Sequence, residues 1–245
     1  MKNKKTLAVV VSSSILWAIM AFSAIMVSIA TLFLMLVSVK TRHKWTIQWG
    51  VLFTFLAKHL CRVNYVVQGL DNLVPGPAII ASNHQSTWET VAFLTIFPQH
   101  VWILKRELLR IPFFGWAMAA VSPIAINRSD RISAAKQVLQ QSTDRVKKNF
   151  WILVFPEGTR VAPGIEKPYK YGVGKMGLSL RLPIIPVAHN AGYLMPKGSF
   201  FLYPGVVSVV IGQPIYVIDD ETPEALTGRI RHAIVTNLKP LLHNG

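Results

Sequence analysis

From Thr6 to Val39 the chain carries no charged residue, no glycine and no proline. A run of that length exceeds the ~20 apolar residues that cross a bilayer as a helix, so an ordinary soluble fold cannot absorb it whole. A cleaved signal peptide would need an apolar core of only about 7–15 residues and a small-residue cleavage site, and neither description fits. The run is therefore read as a retained anchor. Lys2, Lys4 and Lys5 precede it and Lys40, Arg42 and Lys44 follow it, so the charge bias that selects a cytoplasmic side is nearly balanced. Two arrangements fit: one tilted spanning helix, or a run broken near Ser12, Ser13 and Ser14 that folds back within a leaflet. The next apolar segment, Thr46 to Leu60, is expected to be a helix lying at the membrane interface, packed on the anchor or buried in the core.

Composition points the same way. Hydrophobic residues make up 51% of the 245 residues and charged ones 15%, with a net charge of +15 and a mean hydropathy of +0.39. The positive field favours anionic partners, either nucleic acid or acidic lipid. Lys and Arg are scattered in ones and twos rather than gathered into a stripe with interleaved aromatics, which argues for membrane lipids and against nucleic acid. Cys61 is the only cysteine, which excludes an internal disulfide and a multi-cysteine metal site.

Beyond Asn64, β-rich runs alternate with helical stretches. Tyr65 to Val67, Ala78 to Ala81, Val101 to Leu104, Ile124 to Ile126, Trp151 to Phe155, Ile184 to Ala188 and Val206 to Ile211 read as strands, many apolar throughout and hence covered on both faces. A helix capped by Ser129 or Asp130 runs to about Lys148, and Gly172 to Leu182 and Pro223 to Leu242 are further helices. The expectation is a single layered α/β domain with a mostly buried mixed sheet over residues 63–245, preceded over residues 1–62 by a hydrophobic anchor helix or helical hairpin.

The sharpest chemical signal is Asn83-His84-Gln85-Ser86-Thr87-Trp88-Glu89, at the end of an apolar strand, where α/β sheets place their active-site loops. An imidazole is the natural base for taking a proton from an alcohol, and a carboxylate on its far nitrogen would fix the tautomer. On one continuous helix residues 84 and 89 would point roughly 140° apart, so they meet only if His84 precedes the helix and Glu89 lies in its first turn. Ser86 and Glu89 have capping-box spacing, which supports that break. The same spacing leaves a second reading open, in which Glu89 only caps a helix and His84 is an ordinary loop residue.

Three further segments follow the same rule. Val154-Phe155-Pro156-Glu157-Gly158-Thr159-Arg160 is a strand running into a polar turn, where Glu157 and Arg160 bind substrate or merely meet water. Ile126-Asn127-Arg128 sets an arginine at a strand end, and Pro183 to Val187 is an apolar strand framed by prolines.

Taken in order, the four segments resemble the four motif blocks of the glycerolipid acyltransferase family. The first block, N-H-x-x-x-x-D, is matched at Asn83 and His84, with Glu89 where the family has Asp. The second corresponds to Ile126 to Arg128, the third, F-P-E-G-T-R, is complete from Phe155 to Arg160, and the fourth corresponds to Pro183 to Val187. Tyr169-Lys170-Tyr171-Gly172 resembles the family's aromatic-Lys-x-Gly segment, with Tyr171 in place of its usual Lys, and Lys105 to Gly115 resembles the stretch between the first two blocks. The likeness spans about Val67 to Ile211.

The resemblance implies that His84, helped by Glu89, deprotonates the 2-hydroxyl of 1-acylglycerol 3-phosphate for attack on an acyl thioester, giving phosphatidic acid. The co-substrate would be acyl-CoA or acyl carrier protein, with no cofactor or metal. Arg128 and Arg160 would hold the acceptor phosphate, with Asn83, Lys105, Glu157, Gly158, Thr159 and Lys170 as further substrate-binding residues. Phe113, Phe114 and Trp116 would line an acyl tunnel, dip into lipid or pack in the core. The location implied is a bacterial inner membrane, with the catalytic domain on the cytoplasmic side.

Overall fold

The computed structural model describes residues 4–34, 37–127 and 131–242. Two helices open the chain, α1 (Leu7–Leu34) and α2 (Val39–His59). Strands and helices then alternate: β1 (Val63–Gln68), β2 (Ile79–Ser82), α3 (Trp88–Ile96), β3 (His100–Lys105), α4 (Phe114–Ala120), β4 (Ile124–Ile126), α5 (Arg131–Lys147), β5 (Trp151–Val154), α6 (Gly172–Leu180), β6 (Ile184–His189), β7 (Gly205–Ile211) and α7 (Pro223–Leu238).

The seven strands form one sheet in the order β1-β7-β6-β2-β5-β3-β4. β6, β2, β5, β3 and β4 run parallel, while β7 turns back antiparallel on β6 and pairs in parallel with β1. The sheet is mixed, as expected, and each expected strand is present with ends shifted by a residue or two. Its side chains alternate between two cores. Ile80, Leu153, Ile185 and Val187 face α1, α2 and α3 with Leu16, Met20, Phe53 and Phe93. Ile79, Ala81, Ile152 and Ile184 face α6 and α7 with Val173, Met176, Leu226 and Ile230. Central strands covered on both sides read as unbroken apolar runs.

α1 passes through Ser12, Ser13 and Ser14 without a break. The hydroxyls find partners that leave the helical ladder intact: Ser12 Oγ donates to Val9 O, and Ser13 Oγ accepts the Leu202 N–H at 3.1 Å. The reversal falls instead beyond Leu34, and α2 starts at Val39 with Ser38 as cap, accepting the Thr41 N–H. Trp49 Nε1 donates to Ser23 Oγ at 3.1 Å across the hairpin. α2 also packs on α3 at Gly50, where a Cβ would come within 2.8 Å of Leu94 Cβ, and Phe53 is fully buried. Burying such a ring stabilises by about 2–3 kcal/mol, so α2 is part of the core rather than an appendage.

Among the described helices only α1 is long and apolar enough to cross a membrane, over Leu7–Ala30, and 22% of that span is buried. Its outward side chains include Leu7, Phe22, Met26 and Ile29, continued on α2 by Trp45, Val51 and Phe55. Large apolar side chains exposed in that number on two packed helices suit a non-aqueous partner.

Two helices differ from expectation. α4 carries no clear periodicity and was not anticipated from sequence. α7 has the expected Thr222 cap and Pro223 in its first turn but stops at Leu238, giving way to a 3₁₀ turn over Lys239–Leu242. Pro240, lacking an N–H, cannot extend an α-helix there. Ser129 and Asp130, the expected caps of α5, lie outside the described residues.

Candidate active site

Three adjacent parallel strands, β5, β2 and β6, deliver their carboxyl ends to one place. β2 leads into Asn83 and His84, β5 leads through Phe155 into Glu157, and β6 ends on His189.

His84 precedes α3 and Glu89 lies in its first turn. His84 Nδ1 is 2.8 Å from Glu89 Oε1, and the same oxygen accepts the N–H groups of Gln85 at 2.9 Å and Ser86 at 2.8 Å. Ser86 Oγ in turn accepts the Trp88 N–H. One carboxylate oxygen thus meets both the imidazole and the main-chain N–H groups that lead into α3. Its carboxyl group is fully buried. Burial works to raise its pKa, but the imidazoles of His189 and His84 and the Ser86 N–H overcome that and hold it below the ordinary carboxylate range.

Nδ1 of His84 is engaged with an acceptor, so that nitrogen carries the proton and Nε2 is left with its lone pair. The His84 side chain retains 16% exposure. Its ring stacks on Phe155, with centroids 4.0 Å apart and planes 13° from parallel. The backbone is held as firmly: His84 N donates to Glu157 Oε2 at 3.2 Å, and His84 O accepts the Val161 N–H at 2.7 Å. The first and third motif segments are therefore stitched together at His84.

Burial pushes the Glu157 carboxyl up to about 7, with the His84 N–H opposing and the Glu89 charge adding to the rise. Gly158 follows with φ +70°, a conformation that favours glycine, and a Cβ there would lie 2.7 Å from Lys170 Nζ. The Lys170 ammonium thus lies over this turn, and the Lys170 backbone N–H donates to Pro156 O. Thr159 is exposed and Arg160 half-buried, with its Nε buried and lacking a hydrogen bond.

Other expected site residues are more distant in role or place. Asn83 is buried, and its amide is turned inward: Nδ2 donates to His189 O at 2.9 Å and Oδ1 accepts the His189 N–H at 3.0 Å. Lys105 stands exposed at the end of β3, two strands from β2 and hence roughly 10 Å across the sheet. Arg128 lies outside the described residues, as does the Phe114 side chain. Phe113 and Trp116 are partly exposed and pack on each other with centroids 5.1 Å apart, and Phe113 O accepts the Ser28 hydroxyl of α1.

The apolar fourth segment drew no candidate residue from the sequence, and His189 just beyond it was missed. Its position at a strand end, the criterion that singled out His84, was the available signal. Among the described residues no group of three or more His, Cys, Asp or Glu side chains could hold a metal ion.

Residues 64–190, which contain all these segments, match the family model described as Acyltransferase. The 1-acyl-sn-glycerol-3-phosphate acyltransferase of Pseudomonas aeruginosa is 40% identical over 188 residues, 76% of this chain and 73% of that one. The mouse enzyme 1-acyl-sn-glycerol-3-phosphate acyltransferase alpha is 30% identical over 199 residues, covering 77% and 68%. The fold is that of the crystal structure of the 1-acyl-sn-glycerophosphate (LPA) acyltransferase PlsC from Thermotoga maritima, with a TM-score of 0.76 over 95% of both chains at 21% identity. With a family match over half its length and a bacterial relative aligned over most of both chains, this chain belongs to the acyltransferase family.

Proposed function

We propose that the chain transfers a fatty acyl group from an acyl thioester, acyl-CoA or acyl carrier protein, to the 2-hydroxyl of 1-acylglycerol 3-phosphate, yielding phosphatidic acid and a free thiol. The observation that carries this reading is the 2.8 Å contact between His84 Nδ1 and the buried Glu89 carboxylate. It leaves Nε2 as the proton acceptor and supplies a fixed negative charge beneath the imidazolium that forms.

In this reading His84 Nε2 takes the hydroxyl proton as the oxygen attacks the thioester carbonyl. The carbon–sulfur bond then breaks, and the departing thiolate receives the proton back from His84. No acyl-enzyme is required, and the chain has no G-x-S-x-G turn that would argue for one. The acceptor phosphate is assigned to Arg128 and Arg160, the latter joined in sequence to the residue that bonds His84 O. Lys170, lying over Gly158, adds positive charge to the same turn. Glu157 fixes the His84 backbone, and Asn83 supports it from below. The apolar outer face of α1 and α2 is assigned to membrane lipid, which would present the lysolipid to a site on the same molecule. The membrane assigned is the bacterial inner membrane, with the catalytic domain on its cytoplasmic side.

The test is a donor-by-acceptor matrix on purified protein, with His84→Ala as control. Turnover should be highest with lysophosphatidic acid, and His84→Ala should lower it by about 10³-fold, within the usual range for a general base. Preferred turnover of lysophosphatidylcholine or lysophosphatidylethanolamine would overturn the acceptor assignment. A folded His84→Ala variant with near-normal activity would overturn the base.

A further inference from the structure

His189 is fully buried at the end of β6, behind the His84–Glu89 pair. It lies outside the apolar fourth segment, and the mechanism above does not use it. Its contacts reach both sides of His84. Toward the preceding residue, the backbone N–H and C=O of His189 pair with the Asn83 amide, and ring Nε2 is 2.9 Å from Asn83 O. Toward the helix that follows, Nε2 is 3.9 Å from Glu89 Oε1, and the ring meets Phe93 edge-on at 5.7 Å, with planes 87° apart. Glu89 and Phe93 are four apart on α3 and so share a face. Just beyond, the Gly192 N–H donates to Gln85 Oε1 at 3.1 Å.

The ring's tautomer is fixed by these partners. Nδ1 accepts the Ala191 N–H at 3.3 Å, so Nε2 carries the hydrogen and donates it to Asn83 O, with Glu89 Oε1 close by at 3.9 Å but beyond hydrogen-bond distance. Burial holds His189 below the ordinary histidine range against the pull of Glu89, with His84 reinforcing the depression. A neutral donor is what this place requires. An imidazolium here would cancel the Glu89 charge that His84 needs, while an apolar side chain would leave the Asn83 carbonyl with only the Ser82 hydroxyl as donor.

We propose that His189 is a positioning residue for acyl transfer: as a buried neutral Nε2–H donor to the Asn83 carbonyl, with its ring set against Glu89 and Phe93, it pins the His84 loop to α3 and keeps the carboxylate aimed at His84 Nδ1. The inference rests on His84 being the base. The titratable groups that face the ring are Glu89 and His84.

The experiment compares kcat, KM and the pH profile of kcat/KM for the full-length protein and its His189→Leu, His189→Gln and His84→Ala variants, with the folded fraction measured for each. Glutamine retains a neutral N–H donor near the Nε2 position. Loss of a group that orients a metal-bound imidazole typically costs 10- to 100-fold, and a fall in kcat of roughly that size is expected for His189→Leu, with KM for donor and acceptor little changed. Its acid limb should move to lower pH, because a slackened carboxylate stabilises the imidazolium less. His189→Gln should stay within about fivefold of the parent, with its limb unmoved. Full activity in His189→Leu, or parallel losses in both variants that track the folded fraction with the limb unmoved, would overturn the inference while an inactive His84→Ala left the base assignment standing. An active, folded His84→Ala would remove the base assignment and this inference with it.

Discussion

Two groups of histidines occupy opposite edges of the same sheet. His84 and His189 lie at the carboxyl ends of β2 and β6, whereas His100 opens β3 at the amino-terminal edge and is met there by His43 of α2. The first pair is provided with partners: a carboxylate, two main-chain carbonyl or amide groups and an aromatic platform. The second pair is packed but barely bonded. His43 lies on Phe150 at 4.9 Å and His100 against Trp102 at 5.2 Å, while neither nitrogen of His43, nor Nε2 of His100, has a hydrogen bond of ordinary geometry. His100 Nδ1 donates to Pro98 O. In the function proposed above, the same side chain serves chemistry at one edge and constrains stability at the other. Fixed partners at the loop-bearing edge mark the difference, together with the 16% exposure that His84 keeps while the other three are buried.

The contrast breaks most sharply at Glu89. Glu89→Gln keeps the shape and can still accept from His84 Nδ1 but removes the charge beneath the imidazolium. The expected loss in kcat is about 10²- to 10³-fold, or roughly 3–4 kcal/mol in the barrier, with KM changed only a few-fold. Steady-state kinetics on the folded variant provides the measurement. A loss confined to KM would mean that Glu89 serves binding or helix capping alone, and the two edges would then differ less than their geometry implies.

How much of this was legible in the sequence depends on the range of the interactions. His84 and Glu89 are five apart, and the helix period together with the S-x-x-E spacing was enough to place them on either side of a helix start. The strands were readable because double-sided burial forces apolar runs such as Ile79-Ile80-Ala81. His189 was not legible as a partner, because its link to Asn83 spans 106 positions and exists only through the pairing of β2 with β6. Asn83 looked like a substrate ligand for the same reason: a side chain used on a distant backbone has no local signature. Of the two arrangements left open for the anchor, the break near Ser12, Ser13 and Ser14 does not occur, because serines in an apolar helix can satisfy themselves on the preceding turn, as Ser28 does on Ala24 O.

The amino-terminal edge gives the next largest effect, in stability rather than rate. Burial, and for His43 also the neighbouring His100 imidazole, lowers the pKa of His43 to about 3 and that of His100 to about 4. Both groups take up protons in the unfolded chain near pH 6.5 but not in the native one, so their contribution is full above pH 6.5 and is lost as pH falls toward their folded values. Glu157 has the opposite sign. Its raised pKa of about 7 means that the native state binds the extra proton between about pH 4.5 and 7, offsetting one of the two histidines. For these three groups the net difference is about one proton, so their share of stability should fall by about 2–3 kcal/mol between pH 6.5 and 4.5, and the depressed His189 adds to that fall. Denaturant unfolding at the two pH values checks this, and a flat profile would mean that these histidines have water or partners in solution.

The smallest effect isolates His43 from everything else at that edge. Leucine is of similar size and brings no polar atoms, so His43→Leu trades two unbonded ring nitrogens for apolar contact with Phe150 and removes the larger of the two histidine shifts. Leaving a buried polar group unpaired costs about 1–3 kcal/mol, and part of that is returned when the ring contact is lost, so the variant should gain about 1 kcal/mol at neutral pH. Because Glu157 would then offset His100, the acid-side loss above pH 4.5 should shrink by about one proton's share, leaving that of His189. Activity should not change, since His43 lies at the far edge of the sheet from His84. A variant that unfolds more easily at pH 7 would show that the imidazole is held by more than packing, and the two edges would then be alike in kind.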